Sequence, residues 1–172
     1  MGKEKELRIT TVPLVKIETS GIVDLNGLYE NVWEWFRENK YNTLEANHTE
    51  KVAASGKEIK IVWSGYKDPD DYVRFWIEVE MWILRANDVM VEENGKKVRR
   101  QRGDLEVTFT SYFNKDYRHR FKSSAAGRFL RELYEKYLIK SKLEKREDDL
   151  IKETFRLQER AKLATRQFVR EG

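Results

Sequence analysis

The sequence predicts an α+β fold: a curved antiparallel meander sheet with an N-terminal helix and a long C-terminal helix or helices packed on one face. Three observations predict it. First, Val73, Phe75, Ile77, Val79, Met81 and Ile83 are all apolar, while the other register from Tyr72 to Leu84 carries Arg74, Trp76, Glu78, Glu80 and Trp82. A period of two with one wholly apolar face is a long, half-buried antiparallel strand. Second, Asn94-Gly95 is the dipeptide that suits a type I′ hairpin. Third, the apolar period becomes helical after Lys122, and no Gly or Pro occurs between Arg128 and Glu171.

In chain order, Leu7 to Thr19 reads as an opening strand, with Pro13 marking an edge or a bend. Asp24 then caps a helix over Leu25 to Glu38, whose apolar stripe is Leu25, Leu28, Val32, Trp35 and Phe36. Asn42 to Ala53 is a strand, Ser55-Gly56 a turn, and Glu58 to Gly65 a second strand with Ile59, Ile61 and Trp63 on one face. Lys67-Asp68-Pro69-Asp70 has strong turn chemistry and leads into the spine strand. Closing the hairpin at Asn94-Gly95 pairs Val91 with Val98 and sets Glu92 and Glu93 opposite Lys97 and Lys96, a register that the charges favour. Gly103 starts the final strand, with Leu105, Val107, Phe109 and Phe113 on one face. Ser123 or Ser124 caps a helix carrying Phe129, Leu130, Leu133, Tyr137 and Leu138, and a break near Ser141 is expected to separate it from a second helix. Residues 1–140 are read as the sheet domain and 141–172 as a C-terminal helical extension.

Composition narrows the class. Charged residues reach 37%, above the usual quarter, and apolar residues 40%, enough for a packed core. The chain has no cysteine, which excludes disulfides, thiolate metal sites and a cysteine nucleophile. No apolar run is long enough to span a membrane and Met1 to Glu6 lacks a signal-peptide core, so a soluble, cytoplasmic protein is expected. The charge is uneven. Residues 114–172 hold 17 Lys and Arg against 10 Asp and Glu, whereas residues 1–113 hold 17 against 20. The basic character therefore lies in the C-terminal third and points to anionic partners for that part.

The order strand, helix, meander of about five or six strands, helix resembles the helix-grip architecture of START and Bet v 1-like proteins, without their usual second N-terminal helix. The segments Asp24-Leu25 through Tyr29, Gly56-Lys57-Glu58-Ile59, Asp71-Tyr72-Val73 and Asp116-Tyr117 also resemble a family of uncharacterised archaeal proteins. That second resemblance implies no activity. The helix-grip likeness implies an alternative function, a small-molecule or lipid carrier with its cavity between sheet and C-terminal helix.

No catalytic motif is present. His48 and His119 lie in different elements without metal-ligand spacing, so no metal or cofactor is expected. Glu78 and Glu80 are a carboxylate pair about 7 Å apart on one strand face, but Arg74 shares that face and Trp76 and Trp82 flank the pair. Arg74, Trp76, Glu78, Glu80 and Trp82 are therefore read as a docking patch on the outer sheet face or, if the sheet curls the other way, a cavity lining. Lys96, Lys97, Arg99, Arg100 and Arg102 place five cations within seven residues, an arm able to grip phosphates or to discourage edge-to-edge aggregation.

The last helix is the most informative surface. Lys152, Arg156, Arg160, Lys162, Arg166 and Arg170 fall within roughly 160° of arc, opposite Leu150, Leu157, Ala161, Ala164 and Phe168. Leu163 and Glu159 interrupt the basic face. Such a basic amphipathic helix packs on its own protein, lies on a membrane surface or docks on a nucleic acid. Its spacing of four and three, from Leu143 through Leu150 and Leu157 to Phe168, also permits a coiled-coil seam and hence an oligomer. The expectation is a non-enzymatic binding or scaffold protein. Its partner would be a nucleic acid, a ribonucleoprotein or an anionic membrane surface, held by this helix and by the Lys96 to Arg102 arm.

Overall fold

The structure, a computed structural model, describes residues 8–169 and, within them, all side chains except those of residues 45, 46 and 166–169. Nine segments follow one another: β1 (Arg8–Val23), α1 (Leu25–Glu38), β2 (Asn42–Ala53), β3 (Gly56–Lys67), β4 (Val73–Glu93), β5 (Lys96–Lys115), α2 (Ala125–Leu133), a π-helical turn (Tyr134–Leu138) and α3 (Lys140–Val169). The curved sheet has five strands in the order β1-β5-β4-β3-β2, every neighbouring pair antiparallel. The β2–β5 meander is extended by β1, which returns to pair with β5. The α+β class, the N-terminal helix and the long C-terminal helix on the sheet are as the sequence predicts.

The spine strand has the predicted register. Val73, Phe75, Ile77, Val79, Met81 and Ile83 are all buried, and the intervening side chains are half-buried on the other face. Six apolar residues in one row need a covered face, and α1 and α3 cover it. The core joins Leu28, Val32 and Phe36 of α1, Phe75 and Ile77 of β4, Val107, Phe109 and Phe113 of β5, and Leu150, Leu157 and Ala161 of α3. Helix α3 thus shares the core of the sheet.

The strands after Leu84 are longer than the sequence suggests. The spine strand, the hairpin and the last strand are one ladder, β4–β5, with Val91 opposite Val98, Glu92 opposite Lys97 and Glu93 opposite Lys96. The joint is a bulge: Leu84 pairs with Asp104 and Asn87 with Arg102, so Arg85 and Ala86 together oppose Gly103. Arg85 takes φ +55°, and the extra residue turns Ala86 into the core. Gly103 allows the close approach, since a Cβ there would lie 2.7 Å from the Leu84 carbonyl oxygen. The strict alternation ends at Leu84 because of this bulge, while the hydrogen-bonded ladder runs on. Pro13 sits on the edge strand β1, inside the register shift between Val12 and Val15. It is both at an edge and at a bend.

Local chemistry closes the helices. Asp24 accepts from the Gly27 amide at 3.0 Å and starts α1. Ser124 accepts from the Gly127 amide at 3.2 Å and starts α2. The break in the C-terminal helical region falls at Ile139, just before Ser141, where φ is −125° and the Ile139 amide reaches back to the Tyr134 carbonyl at 3.2 Å.

Candidate functional site

Helix α3 divides its side chains as the sequence predicts, and the fold then uses part of the basic face for itself. Leu150, Thr154, Leu157 and Ala161 are completely buried against the sheet and α1. Thr154 is tolerated there because its hydroxyl donates to the Leu150 carbonyl at 2.7 Å. From Leu150 to Ala164 the seam that the spacing offered to a coiled-coil partner is therefore covered by the protein's own core.

Two of the predicted cations have internal partners. Arg160 turns toward α1, its Nη1 donating to Glu38 Oε2 at 2.5 Å and its Nη2 to Glu34 Oε2 at 3.2 Å. Lys162 donates to Glu159 Oε1 at 2.7 Å. By contrast, Lys152 and Arg156 are exposed and make no ion pair among the described residues. The Arg166, Phe168 and Arg170 side chains lie outside the described residues.

Between α1 and the outer side of α3 runs an open groove of about 650 Å³. Trp35, Ile151, Phe155 and Leu163 give it an apolar lining, with Lys152 and Arg156 as its unpaired cations. Phe155 and Leu163 are 43% and 60% exposed, so the apolar lining is open to a partner. Sequence reasoning did not single out Ile151 and Phe155; it placed Trp35 in the apolar stripe of α1, where it is buried, and Leu163 on the basic face of α3, where it is exposed. The available signal was Leu163, which breaks the basic arc at a position where the core stripe has no use for it. Among the described lining residues Glu159 is the sole carboxylate, and Lys162 holds it. The groove offers an apolar trough with two free positive charges.

The arm is partly neutralised. Arg99 pairs with Asp88, while Arg100 donates to Glu93 at 2.7 Å and lies 3.4 Å from Asp24. Lys96, Lys97 and Arg102 remain exposed at the same end of the β4–β5 hairpin.

The outer-face residues are each tied to a neighbour. Arg74 donates to Asp68 at 2.6 Å and lies over the Tyr66 and Tyr117 rings. That guanidinium holds the Asp68 carboxyl below its ordinary value. Trp76 lies between Tyr66 and Tyr112, at ring-centroid distances of 5.2 and 6.1 Å. Glu78 accepts from the Tyr112 hydroxyl at 3.2 Å, Glu80 from Lys60 at 2.9 Å, and Glu58 from the Trp82 indole at 3.0 Å. The two carboxylates of the pair thus have separate partners on adjacent strands, and their face is the solvent side of the sheet.

A polar network fixes the end of the molecule where α3 begins. Asp70 accepts from the Tyr72 and Val73 amides at 2.8 and 2.9 Å and from Arg146 at 2.9 Å. Burial alone would raise its carboxyl, but these donors hold it below its ordinary value. Glu135 accepts from the Tyr72 hydroxyl at 2.7 Å and from Lys115 at 2.5 Å. Neither His48 nor His119 belongs to a metal-binding cluster among the described residues. Compared with known proteins, the chain matches no family model and no curated protein.

Proposed function

We propose that this is a non-enzymatic binding protein that receives an anionic partner at the groove between α1 and α3. One observation carries the reading: Lys152 and Arg156 stand unpaired beside an open apolar trough, while neighbouring cations of the same helix are satisfied within the fold. A charge left without a partner beside exposed Phe155 and Leu163 is suited to an anion that also presents apolar surface. The exposed Lys96, Lys97 and Arg102 supply a second contact. The partner is a nucleic acid, a ribonucleoprotein or an anionic membrane surface, met in the cytoplasm. Among the described residues no helix is long and apolar enough to cross a membrane, which fits a partner met at a surface.

The test is binding to RNA, DNA and anionic vesicles across a salt series, with nuclease and detergent controls on affinity isolation. For a nucleic-acid partner, affinity should fall steeply with salt, and Lys152→Glu with Arg156→Glu should flatten the slope by about two phosphate contacts. A parent that binds no polyanion, or a double variant that binds identically, sinks the proposal.

A second reading rests on the groove's lining, since Ile151, Phe155 and Leu163 stand beside Lys152 and Arg156 as an apolar acid would require. A carrier of anionic amphiphiles would use the outer side of α3, because Phe75, Phe109, Leu150 and Leu157 fill the space between sheet and helix. Native mass spectrometry of the purified protein decides it, a bound apolar acid supporting the carrier.

A further inference from the structure

Helix α2 is amphipathic with its faces reversed. The stripe turned toward the body of the protein is Gly127, Arg131, Tyr134 and Glu135; the stripe turned to solvent is Phe129, Leu130, Leu133 and Tyr137, with Leu138 beside it. Gly127 is the sole buried residue of α2, seated so close to the chain that a Cβ would lie 2.0 Å from the Lys122 carbonyl oxygen. Tyr134 packs edge-on against Tyr72 at 5.5 Å, and Glu135 is fixed by Tyr72 and Lys115. These anchors decide which face points out. Phe129, Leu130, Tyr137 and Leu138 are then 59%, 57%, 69% and 74% exposed. A row of large apolar side chains in water calls for a partner.

Charge identifies the partner. From Tyr117 to Lys145 nine Lys and Arg stand against three Glu; Arg120, Arg131, Lys140 and Lys142 pair with Asp71, Glu135, Glu144 and Asp70, which leaves Arg118, Lys122, Arg128, Lys136 and Lys145 against Glu132. Lys122, Arg128 and Lys136 are exposed around the apolar row, with Lys140 beside them at 3.9 Å from Glu144. A second copy of the chain would bring the same positive field against itself. A nucleic acid would satisfy the cations and leave the leucines uncovered. A bilayer with anionic headgroups satisfies both: leucine and phenylalanine reach the acyl boundary, the Tyr137 hydroxyl sits at headgroup level, and the cations meet phosphates.

We infer that α2 and its π-helical continuation form an interfacial anchor for anionic lipid surfaces, inserting Phe129, Leu130, Leu133 and Tyr137. This goes beyond the groove proposal and uses none of its residues. The experiment is vesicle sedimentation of the full chain with phosphatidylcholine alone or with about one third phosphatidylglycerol. The expected result is partition onto the anionic vesicles only. Leu130→Asn with Tyr137→Asn, both on the solvent side, should lower that partition by at least about tenfold with unchanged circular dichroism.

Because the chain lacks cysteine, Leu130→Cys carries a single environment-sensitive dye, with Val52→Cys as the control site. A blue shift with anionic vesicles at residue 130 and none at 52 supports insertion. The groove variant Phe155→Asn with Leu163→Asn separates the surfaces: vesicle partition equal to the parent's supports α2, and its loss overturns α2 as the anchor. The inference is also overturned by a parent that ignores anionic vesicles, by an Asn variant that binds them equally, or by a dimer that the Leu130 and Tyr137 substitutions dissociate without any vesicle binding.

Discussion

Gly65 of β3 faces the ring of Phe36 in α1 so closely that a Cβ on Gly65 would fall 2.5 Å from the ring's Cε1. Phe36 is wholly buried and also meets Tyr41 and Trp63 at ring-centroid distances of 5.6 and 6.4 Å. The missing side chain in the strand is what seats the helix. Gly65→Ala should cost about 1–3 kcal/mol, the range for overpacking a filled core. Urea denaturation of parent and variant measures it, and an unchanged midpoint would show that the ring has room to move.

The two faces of β4 should respond very differently. Ile77 is completely buried, so Ile77→Ala should cost about 2–5 kcal/mol. Glu78 is half-buried on the solvent side and bonded to the Tyr112 hydroxyl, so Glu78→Gln should cost less than about 1 kcal/mol. Thermal unfolding of the two variants compares them directly, and similar losses would contradict the register.

At the tip of the β4–β5 hairpin, Asn94 and Gly95 take φ +50° and +74°. These are left-handed conformations that a β-branched residue adopts only under strain. Gly95→Val should destabilise the turn by about 1–2 kcal/mol, while Gly95→Asn should cost less. Amide exchange at Val91 and Val98 would report the loosening, and equal protection in both variants would argue against it.

Alkaline pH should weaken the fold. Burial pushes the phenols of Tyr41, Tyr72 and Tyr112 up, and Glu153, Glu135 and Glu78 beside their hydroxyls push them further. Tyr112 reaches about 12. A phenol whose pKa is higher in the folded chain holds its proton more tightly there. The stability it contributes is complete below the ordinary tyrosine value of 10.0 and is lost as pH rises through the folded values. The urea midpoint should fall above about pH 10, and Tyr41→Phe should blunt the fall. Near-ultraviolet phenolate absorbance should show these tyrosines titrating late, and ordinary titration of all eight tyrosines would refute the placement.

What the sequence determined is what adjacent residues decide among themselves. The alternation from Val73 to Ile83 settles which face is buried, since side chains of a strand point alternately to either side. Asp24 and Ser124 start helices, and Asn94-Gly95 sets the hairpin register, because caps and tight turns satisfy their donors within a few residues. The segregation of charge along α3 was legible for the same reason. Tertiary structure decided the rest. The bulge at Arg85 and Ala86 depends on Gly103 across the ladder, so the unity of β4 and β5 is invisible to a period count. Arg160 and Arg156 carry the same charge on the same helix, yet Glu34 and Glu38 of α1 reach the first and leave the second to the groove. The leucines of α2 look like core in sequence, but the hold of Tyr72 and Lys115 on the Tyr134–Glu135 turn leaves them in water. In each case the deciding contact joins residues far apart in the chain, and periodicity carries no record of which neighbour a face will meet.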